Sequence, residues 1–203
     1  MSNYLAIIGA YLLGSLSFAV IVSRCMGMPD PHSYGSGNPG ATNVLRSGRK
    51  SAAALTLLGD ALKGWLAVWL ASYYQFTWQL DNNTIAIVAV AVLVGHMWPL
   101  FFKFKGGKGV ATALGVLLAL SWPTALICAA VWLIMAFGFK VSSLAALIAT
   151  LISPFVAWWF IPHHNWIIAI VIIDLLVLYR HKSNIKNLLS GKESKIGATN
   201  KDK

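Results

Sequence analysis

Long apolar segments alternate with short polar connectors along nearly the whole chain. A helix that crosses a bilayer needs about 20 apolar residues. The apolar region 110–139 is too long for one crossing, and Ser121-Trp122-Pro123 within it predicts a turn, because proline lacks a backbone donor and disfavours helix in the preceding residue. The pattern therefore predicts an all-α fold, a bundle of seven transmembrane helices at 4–22, 52–74, 84–102, 106–120, 123–139, 141–161 and 165–179.

The distribution of basic residues supports seven spans through the positive-inside rule. With seven spans and the N-terminus outside, the outer connectors carry no basic residue, and only Lys63 lies in the interior of a span. With six spans, the basic tail 180–203 would lie outside, against the rule. We therefore expect a cytoplasmic C-terminus and a short fourth helix, 106–120, that packs within the bundle.

Composition agrees with one membrane domain, 1–203. The chain is 58% hydrophobic and only 11% charged, whereas soluble domains carry about 25% charged residues. We attribute the net charge of +10 to membrane orientation and not to nucleic-acid binding, since the basic residues cluster at span ends. The start MSNY has no positive region, so we expect no cleaved signal peptide. Cys25 and Cys128 form no disulfide or metal pattern.

Three polar connectors lie on the same predicted side of the membrane. The first, SYGSGNPGATNVLR, offers Ser36, Asn38, Thr42, Asn43 and Arg46. The second, GHMWPLFFKFKGGKGVAT, offers Lys105, Gly106, Gly107 and Lys108. The third, RHKSNIKNLLSGKES, offers His181 and Asn184. Together they predict one site for an anionic ligand at the cytoplasmic interface.

These residue types suit phosphate. Glycine lets backbone N–H groups converge on an anion, and a glycine-rich turn that opens a helix presents free N–H groups and the positive end of the dipole. Lysine and arginine add charge, and arginine adds a bidentate fork. Taken singly, each connector has a simpler interpretation: a turn, a set of orienting lysines, or an interfacial histidine. The combination favours a site.

Several familiar motifs fail their context tests. Gly35, Gly37 and Gly40 match G-x-G-x-x-G, but no strand precedes them. Phe102 stands where a P-loop requires glycine. No H-x-x-x-x-D acyltransferase motif or G-x-S-x-G elbow occurs. The 6 acidic residues are scattered, whereas a Mg²⁺-dependent phosphoryl transferase clusters carboxylates, so we expect a site without metal or other cofactor.

Three residues with ordinarily charged side chains, Asp60, Lys63 and Asp174, lie in the interior of predicted spans. Asp60 and Lys63 are spaced i, i+3 in GDALKG, and we expect them to pair on one helix face. Asp174 has no evident partner in the sequence.

After the last span, the spacing of Ile185, Leu188 and Leu189 predicts a short amphipathic helix that lies on the membrane interface.

The three connectors and GDALKG resemble the bacterial acyl-phosphate glycerol-3-phosphate acyltransferase family, the PlsY type. The resemblance implies transfer of an acyl group from acyl phosphate to the 1-position of glycerol 3-phosphate, giving lysophosphatidic acid and phosphate for phospholipid synthesis. It also implies the bacterial inner membrane, a cytoplasmic site and hand-over from the enzyme that makes acyl phosphate. The family's phosphate-site positions fall on Ser36, Thr42, Asn43 and Arg46 with Asn38 nearby, on Lys105, Gly106, Gly107 and Lys108, and on His181 and Asn184.

The proton acceptor for the attacking hydroxyl remains open between two candidates. His181 is one, as a general base. A substrate phosphate is the other, with Arg46, Lys105 and backbone N–H groups stabilising developing charge; the resemblance agrees with this second route. An anion transporter and a membrane scaffold are the non-enzymatic alternatives. Transporters place their site near mid-bilayer between repeats, and no repeat is seen here.

Overall fold

The structure, a computed structural model, describes residues 1–196, and every regular element in that range is helical. Lys201 and Lys203 of the predicted basic tail lie outside the described residues. A short 3-10 turn, Leu100–Phe102, follows the fifth helix. In chain order the α-helices of the described range are α1 Ser2–Gly14, α2 Phe18–Cys25, α3 Ala41–Leu45, α4 Lys50–Tyr73, α5 Asn82–Met97, α6 Val110–Leu120, α7 Trp122–Phe139, α8 Ser142–Phe160, α9 His164–Arg180 and α10 Lys182–Leu189.

Four helices of residues 1–196 are long and apolar enough to cross a membrane: α4, α5 with its 3-10 turn, α7 and α8. The pair α1 and α2 passes the same test when the two are taken together, which gives up to 5. Helix α6 has 11 residues, fewer than a bilayer crossing requires, and α9 has 17. The all-helical class is confirmed for the described residues, whereas the count of seven spans and the outer N-terminus stay predictions.

The first predicted span, 4–22, is not one continuous helix. Its two halves, α1 and α2, are bent by 45° at a break after Gly14. Ser15 is fully buried at the break, and its hydroxyl donates to the Tyr11 carbonyl at 2.9 Å. The Leu16 carbonyl, freed from the helical ladder, accepts a hydrogen bond from Lys63 Nζ at 2.6 Å. A side chain on another helix therefore stabilises the break.

The second departure concerns the start of the short fourth helix, predicted at 106. Helix α6 begins at Val110, because Gly109 has φ +90°, a left-handed conformation that a right-handed helix does not continue. The predicted turn at Ser121 is confirmed: α6 ends at Leu120, and the Ser121 side chain accepts the Thr124 N–H at the start of α7. The predicted short helix after the last span is α10.

Glycines let the central helices pack closely. A Cβ on Gly14 would meet the Val92 carbonyl of α5, and one on Gly115 would meet the Ala61 carbonyl of α4. Such close backbone approach is typical of membrane helix pairs. The contacts pack α1 against α5 and α4 against α6, and α5 and α6 are the helices that flank the second connector.

The buried ion pair predicted within α4 is present. Lys63 Nζ lies 2.9 Å from Asp60 Oδ1, and both side chains are almost completely buried. His96 of α5 joins them, with Nδ1 at 3.4 Å from the same carboxylate oxygen. The structure also supplies the partner of Asp174, since the Ser153 hydroxyl donates to its carboxylate at 2.7 Å.

Candidate functional site

Asn43 organises the first connector from within. Its Oδ1 accepts the Ser36 N–H at 2.9 Å, and its Nδ2 donates to the Pro31 and Tyr34 carbonyls at 2.8 and 3.1 Å. The side chain is only 3% exposed. A Cβ on Gly35, which has φ +60°, would meet Asn43 Oδ1, so the loop requires glycine there. Asn43 therefore shapes the loop from behind.

The second connector is held by backbone contacts on two sides. The Gly107 N–H donates to the His96 carbonyl at 3.2 Å. Arg180, at the end of α9, donates from Nη2 to the Gly106 carbonyl at 2.6 Å and from Nε to the Gly107 carbonyl at 3.1 Å. The Gly107 N–H is thus already used within the protein, against the expectation that the glycines of this turn leave their N–H groups free for phosphate.

His181 and Asn184, which the sequence places in the same connector, have different surroundings in the structure. His181 is 3% exposed, and its Nδ1 donates to the Val177 carbonyl at 2.8 Å. Burial, the largest cause, lowers the pKa of His181 to about 4. Asn184 instead bridges two charged groups: its Oδ1 accepts from Lys108 Nζ at 2.5 Å, and its Nδ2 donates to Glu193 Oε1 at 2.6 Å.

The three connectors surround one cavity of about 690 Å³. The predicted site residues that line it are Ser36, Asn38, Arg46, Lys105, Gly106, Lys108 and Asn184. Those that do not line it are Thr42, Asn43, Gly107 and His181. The remaining lining residues, which sequence reasoning did not select, are His32, Gly35, Gly37, Pro39, Phe104, Arg180, Ser183, Asn187, Glu193 and Ser194.

Two of the additional lining residues, Arg180 and Glu193, belong to the third connector. Arg180 lies directly before His181 in the third connector, but a basic residue at the end of a span is equally typical of membrane orientation. Glu193 lies in the same connector, and no local pattern indicates that its carboxylate accepts from the Asn184 amide and from the Ser143 hydroxyl at 2.7 Å. Arg180 and Glu193 are recognised as site residues only from the hydrogen bonds that they make with other parts of the fold.

The charge of the cavity suits an anion. Its wall carries four permanent or ordinarily protonated cations against one carboxylate, Glu193. Cations that converge on a partly closed cavity concentrate positive potential there, and lysine and arginine bind phosphate oxygens through charge-assisted hydrogen bonds. In residues 1–196 no group of three or more His, Cys, Asp or Glu is placed to hold a metal ion, and the metal-free site stays a prediction.

Comparison with known proteins gives the family. The model of the family described as glycerol-3-phosphate acyltransferase matches residues 4–191. The chain belongs to this family. A glycerol-3-phosphate acyltransferase of Neisseria meningitidis serogroup C / serotype 2a is 68% identical over 197 residues, which are 97% of this chain and 98% of that protein. One of Janthinobacterium sp. (strain Marseille) is 53% identical over 201 residues, 99% of this chain and 100% of that protein.

Two solved structures of a PlsY protein share the fold of this acyltransferase. The first, an integral membrane glycerol 3-phosphate acyltransferase in its glycerol 3-phosphate form, is 37% identical, with a TM-score of 0.89 over 97% of this chain and 96% of that one. The second, in its lysophosphatidic acid form, is 36% identical, with a TM-score of 0.87 over 96% and 95% of the two chains. The protein is therefore a PlsY-family acyltransferase, as the resemblance implied, and an integral membrane protein, as the hydropathy pattern predicted.

Proposed function

We propose that this enzyme transfers a fatty acyl group from acyl phosphate to the 1-position of sn-glycerol 3-phosphate, releasing lysophosphatidic acid and inorganic phosphate. The observation that carries the proposal is the convergence on one cavity of Arg46 from the first connector with Lys105 and Lys108 from the second. Both substrates carry phosphate, and both need cationic partners in the same place if the hydroxyl is to meet the acyl carbon. The solved relatives in glycerol 3-phosphate and lysophosphatidic acid forms support this choice of substrate and product.

The chemistry needs little from the protein beyond positioning and charge. The glycerol hydroxyl attacks the acyl carbonyl carbon, an ester C–O bond forms, and the bond from that carbon to the phosphate oxygen breaks. Its electron pair leaves with the phosphate, which is already a good leaving group. Arg46 and Lys105 stabilise the negative charge that develops on the carbonyl oxygen and the departing phosphate.

We assign the proton of the attacking hydroxyl to a substrate phosphate. His181 is the alternative acceptor, but it does not line the cavity, and its Nδ1–H is bonded to the Val177 carbonyl. With a pKa lowered to about 4 by burial, His181 is also a weaker base than an ordinary histidine. We therefore propose that His181 supports the wall of the site, where α9 meets α10.

The remaining site residues divide by placement. We propose that Ser36, Asn38, Gly106, Lys108 and Asn184, which line the cavity, contact the substrates. Asn43 and Gly107 fix the shape of the loops through their hydrogen bonds, and Thr42 does not line the cavity. In the Lys108–Asn184–Glu193 chain of hydrogen bonds, the amide lets one cation and one carboxylate face the cavity without direct neutralisation.

We also propose the membrane arrangement that the basic residues favour. The chain crosses the bacterial inner membrane seven times, with the N-terminus outside and the cavity facing the cytoplasm, where phosphorylated metabolites are found. The apolar segments include the bent pair α1 and α2 and the short α6. Labelling of single cysteines placed at 48, 104 and 191 from the two sides of sealed vesicles tests this arrangement, because all three must be reached from the cytoplasmic side.

The decisive experiment supplies purified protein with acyl phosphate and glycerol 3-phosphate, without added Mg²⁺, and follows phosphate release and lysophosphatidic acid. We expect Arg46→Ala and Lys105→Ala nearly to abolish turnover and His181→Ala to reduce it. Arg49→Ala is the matched control, because Arg49 is exposed and does not line the cavity. Wild-type turnover in the Arg46 and Lys105 variants would show that the reaction takes place elsewhere.

A further inference from the structure

His32, which lines the cavity and lies directly before the first connector, contacts the backbone of the second connector. Its Nδ1 lies 2.6 Å from Asp30 Oδ1, and its Nε2 lies 3.0 Å from the Lys105 carbonyl oxygen. The same Asp30 oxygen accepts the His32 backbone N–H at 2.9 Å, which fixes the carboxylate beside the ring. The imidazole lines the cavity, and its side chain remains 27% exposed. Its two contacts thus tie Lys105 to the loop that carries Arg46.

The chemistry of these contacts constrains the protons on the ring. A backbone carbonyl can only accept a hydrogen bond, and an ionised carboxylate can only accept as well. The pKa of Asp30 is lowered, chiefly because its carboxylate accepts the His32 backbone N–H, so Asp30 is ionised at neutral pH. A neutral imidazole has one N–H and can make only one of the two bonds. Both bonds together require the imidazolium.

We propose that His32, doubly protonated, is a positioning residue of the acyltransferase, and that it holds the Lys105 segment against the first connector so that Lys105 and Arg46 face one cavity. This rests on the proposed function for its effect on turnover. His32 does not contact the reacting atoms. Because the number of bonds in the bridge depends on the protons of the imidazole, the position of the Lys105 segment depends on pH. The bridge has both bonds only while the ring carries two protons, and an imidazole with one proton keeps only one of them.

The charges around His32 decide how substrate acts on the bridge. The charged groups that line the same cavity are Arg46, Lys105, Lys108, Arg180 and Glu193. Arg24 is the further cation that acts on Asp30. The cations of the cavity repel the imidazolium, and a bound phosphate offsets that repulsion. Bound phosphate therefore stabilises the protonated His32 bridge, and the bridge strengthens phosphate binding by the same factor.

The test compares wild type with His32→Gln and His32→Arg. Glutamine is neutral and cannot replace both bonds, whereas arginine is permanently charged and offers several donors to both acceptors. His164→Gln is the matched control, because His164 is exposed at the far end of α9. For each protein, kcat and KM for glycerol 3-phosphate are measured from about pH 5.5 to about pH 8.5, the range in which histidine changes charge.

We expect wild type to exceed His32→Gln in kcat/KM by about fivefold at the acid end, the contribution of one hydrogen bond at a partly exposed site, and to approach it at the alkaline end. The ratio of His32→Arg to wild type rises with pH by a similar factor. Titration of the substrate phosphate affects all variants alike and cancels in these ratios. Ratios that stay constant across the pH range overturn the proposal, as does a pH trend in the His164→Gln control equal to that of His32→Gln.

A second measurement needs no turnover. Hydrogen exchange of the backbone at 103–109, without substrates, is expected to be faster in His32→Gln than in wild type at low pH and equal at high pH, after correction for intrinsic exchange. If wild type makes no lysophosphatidic acid, the proposed function fails while the exchange result still decides the bridge. If turnover is present and exchange at 103–109 is the same in both proteins at all pH values, the bridge is wrong.

Discussion

Replacing Arg180 by lysine tests whether the arginine fork sets the geometry of the second connector. The guanidinium donates to two successive carbonyls, those of Gly106 and Gly107, at 2.6 and 3.1 Å. It also lies over the Trp98 ring, with Cζ 5.7 Å from the centroid. Lysine keeps the charge but has one compact ammonium in place of a planar fork. The substitution therefore removes the double contact without removing the cation.

The size of the effect follows from the contact that is lost. A hydrogen bond that involves a charged group contributes about 1.5–3 kcal/mol, and the half-buried position of Arg180 places it at the lower end. About 1.4 kcal/mol corresponds to a tenfold change. If the two carbonyls must be held for Lys105 and Lys108 to face the substrates, Arg180→Lys lowers kcat/KM about tenfold.

The assay is phosphate release from acyl phosphate with purified protein, with kcat and KM measured for both substrates. Arg49→Lys is the matched control, since Arg49 is exposed and does not line the cavity. Thermal unfolding in the same detergent shows whether both variants are folded at the assay temperature. A folded Arg180→Lys protein with the same kcat/KM as Arg49→Lys would refute the argument that the fork positions the connector.

Two further substitutions test the packing behind the cavity. Gly107→Ala brings a Cβ against the His96 ring, with Cε1 at 2.7 Å, and we expect it to lower the free energy of unfolding by about 1–3 kcal/mol, the usual cost of overpacking. A Cβ at Gly9 meets nothing within 4 Å, so Gly9→Ala should be as stable as wild type; equal unfolding free energies of the two variants would contradict this view. Lys63→Met leaves Asp60 buried without its cation and should lower the unfolding free energy by about 3–5 kcal/mol. The double variant with Asp60→Leu should recover most of it, and equal stability of the single and double variants would show that the pair is not coupled.

The helical membrane class could be predicted because hydropathy is a local and additive property of the chain. The turn at Ser121 was also predictable, since proline restricts its own neighbourhood. The break after Gly14 was not, because no proline marks it and its stabilising partner, Lys63, lies on α4. The start of α6 at Val110 depends on one dihedral angle at Gly109, and a glycine in the sequence permits that angle without requiring it.

The candidate site divides in the same way. Residue type and the predicted side of the membrane were enough to predict that Arg46, Lys105 and Asn184 share one site, and all three line the cavity. The sequence did not distinguish a residue that lines the cavity from one that supports the loops behind it. Asn43 has the composition of a ligand contact, yet all its polar atoms are used within the first connector.

The sequence by itself determined the membrane-helical class, the family and the three polar connectors that carry the chemistry. These depend on the number, type and order of residues, which are fixed before the chain folds. Only the tertiary structure decided that His181 turns back to Val177 while Arg180 and His32 reach the backbone of the second connector. The physical reason is that hydrogen bonds join atoms by distance and direction in space, and residues of different helices come within that distance only after the helices have packed.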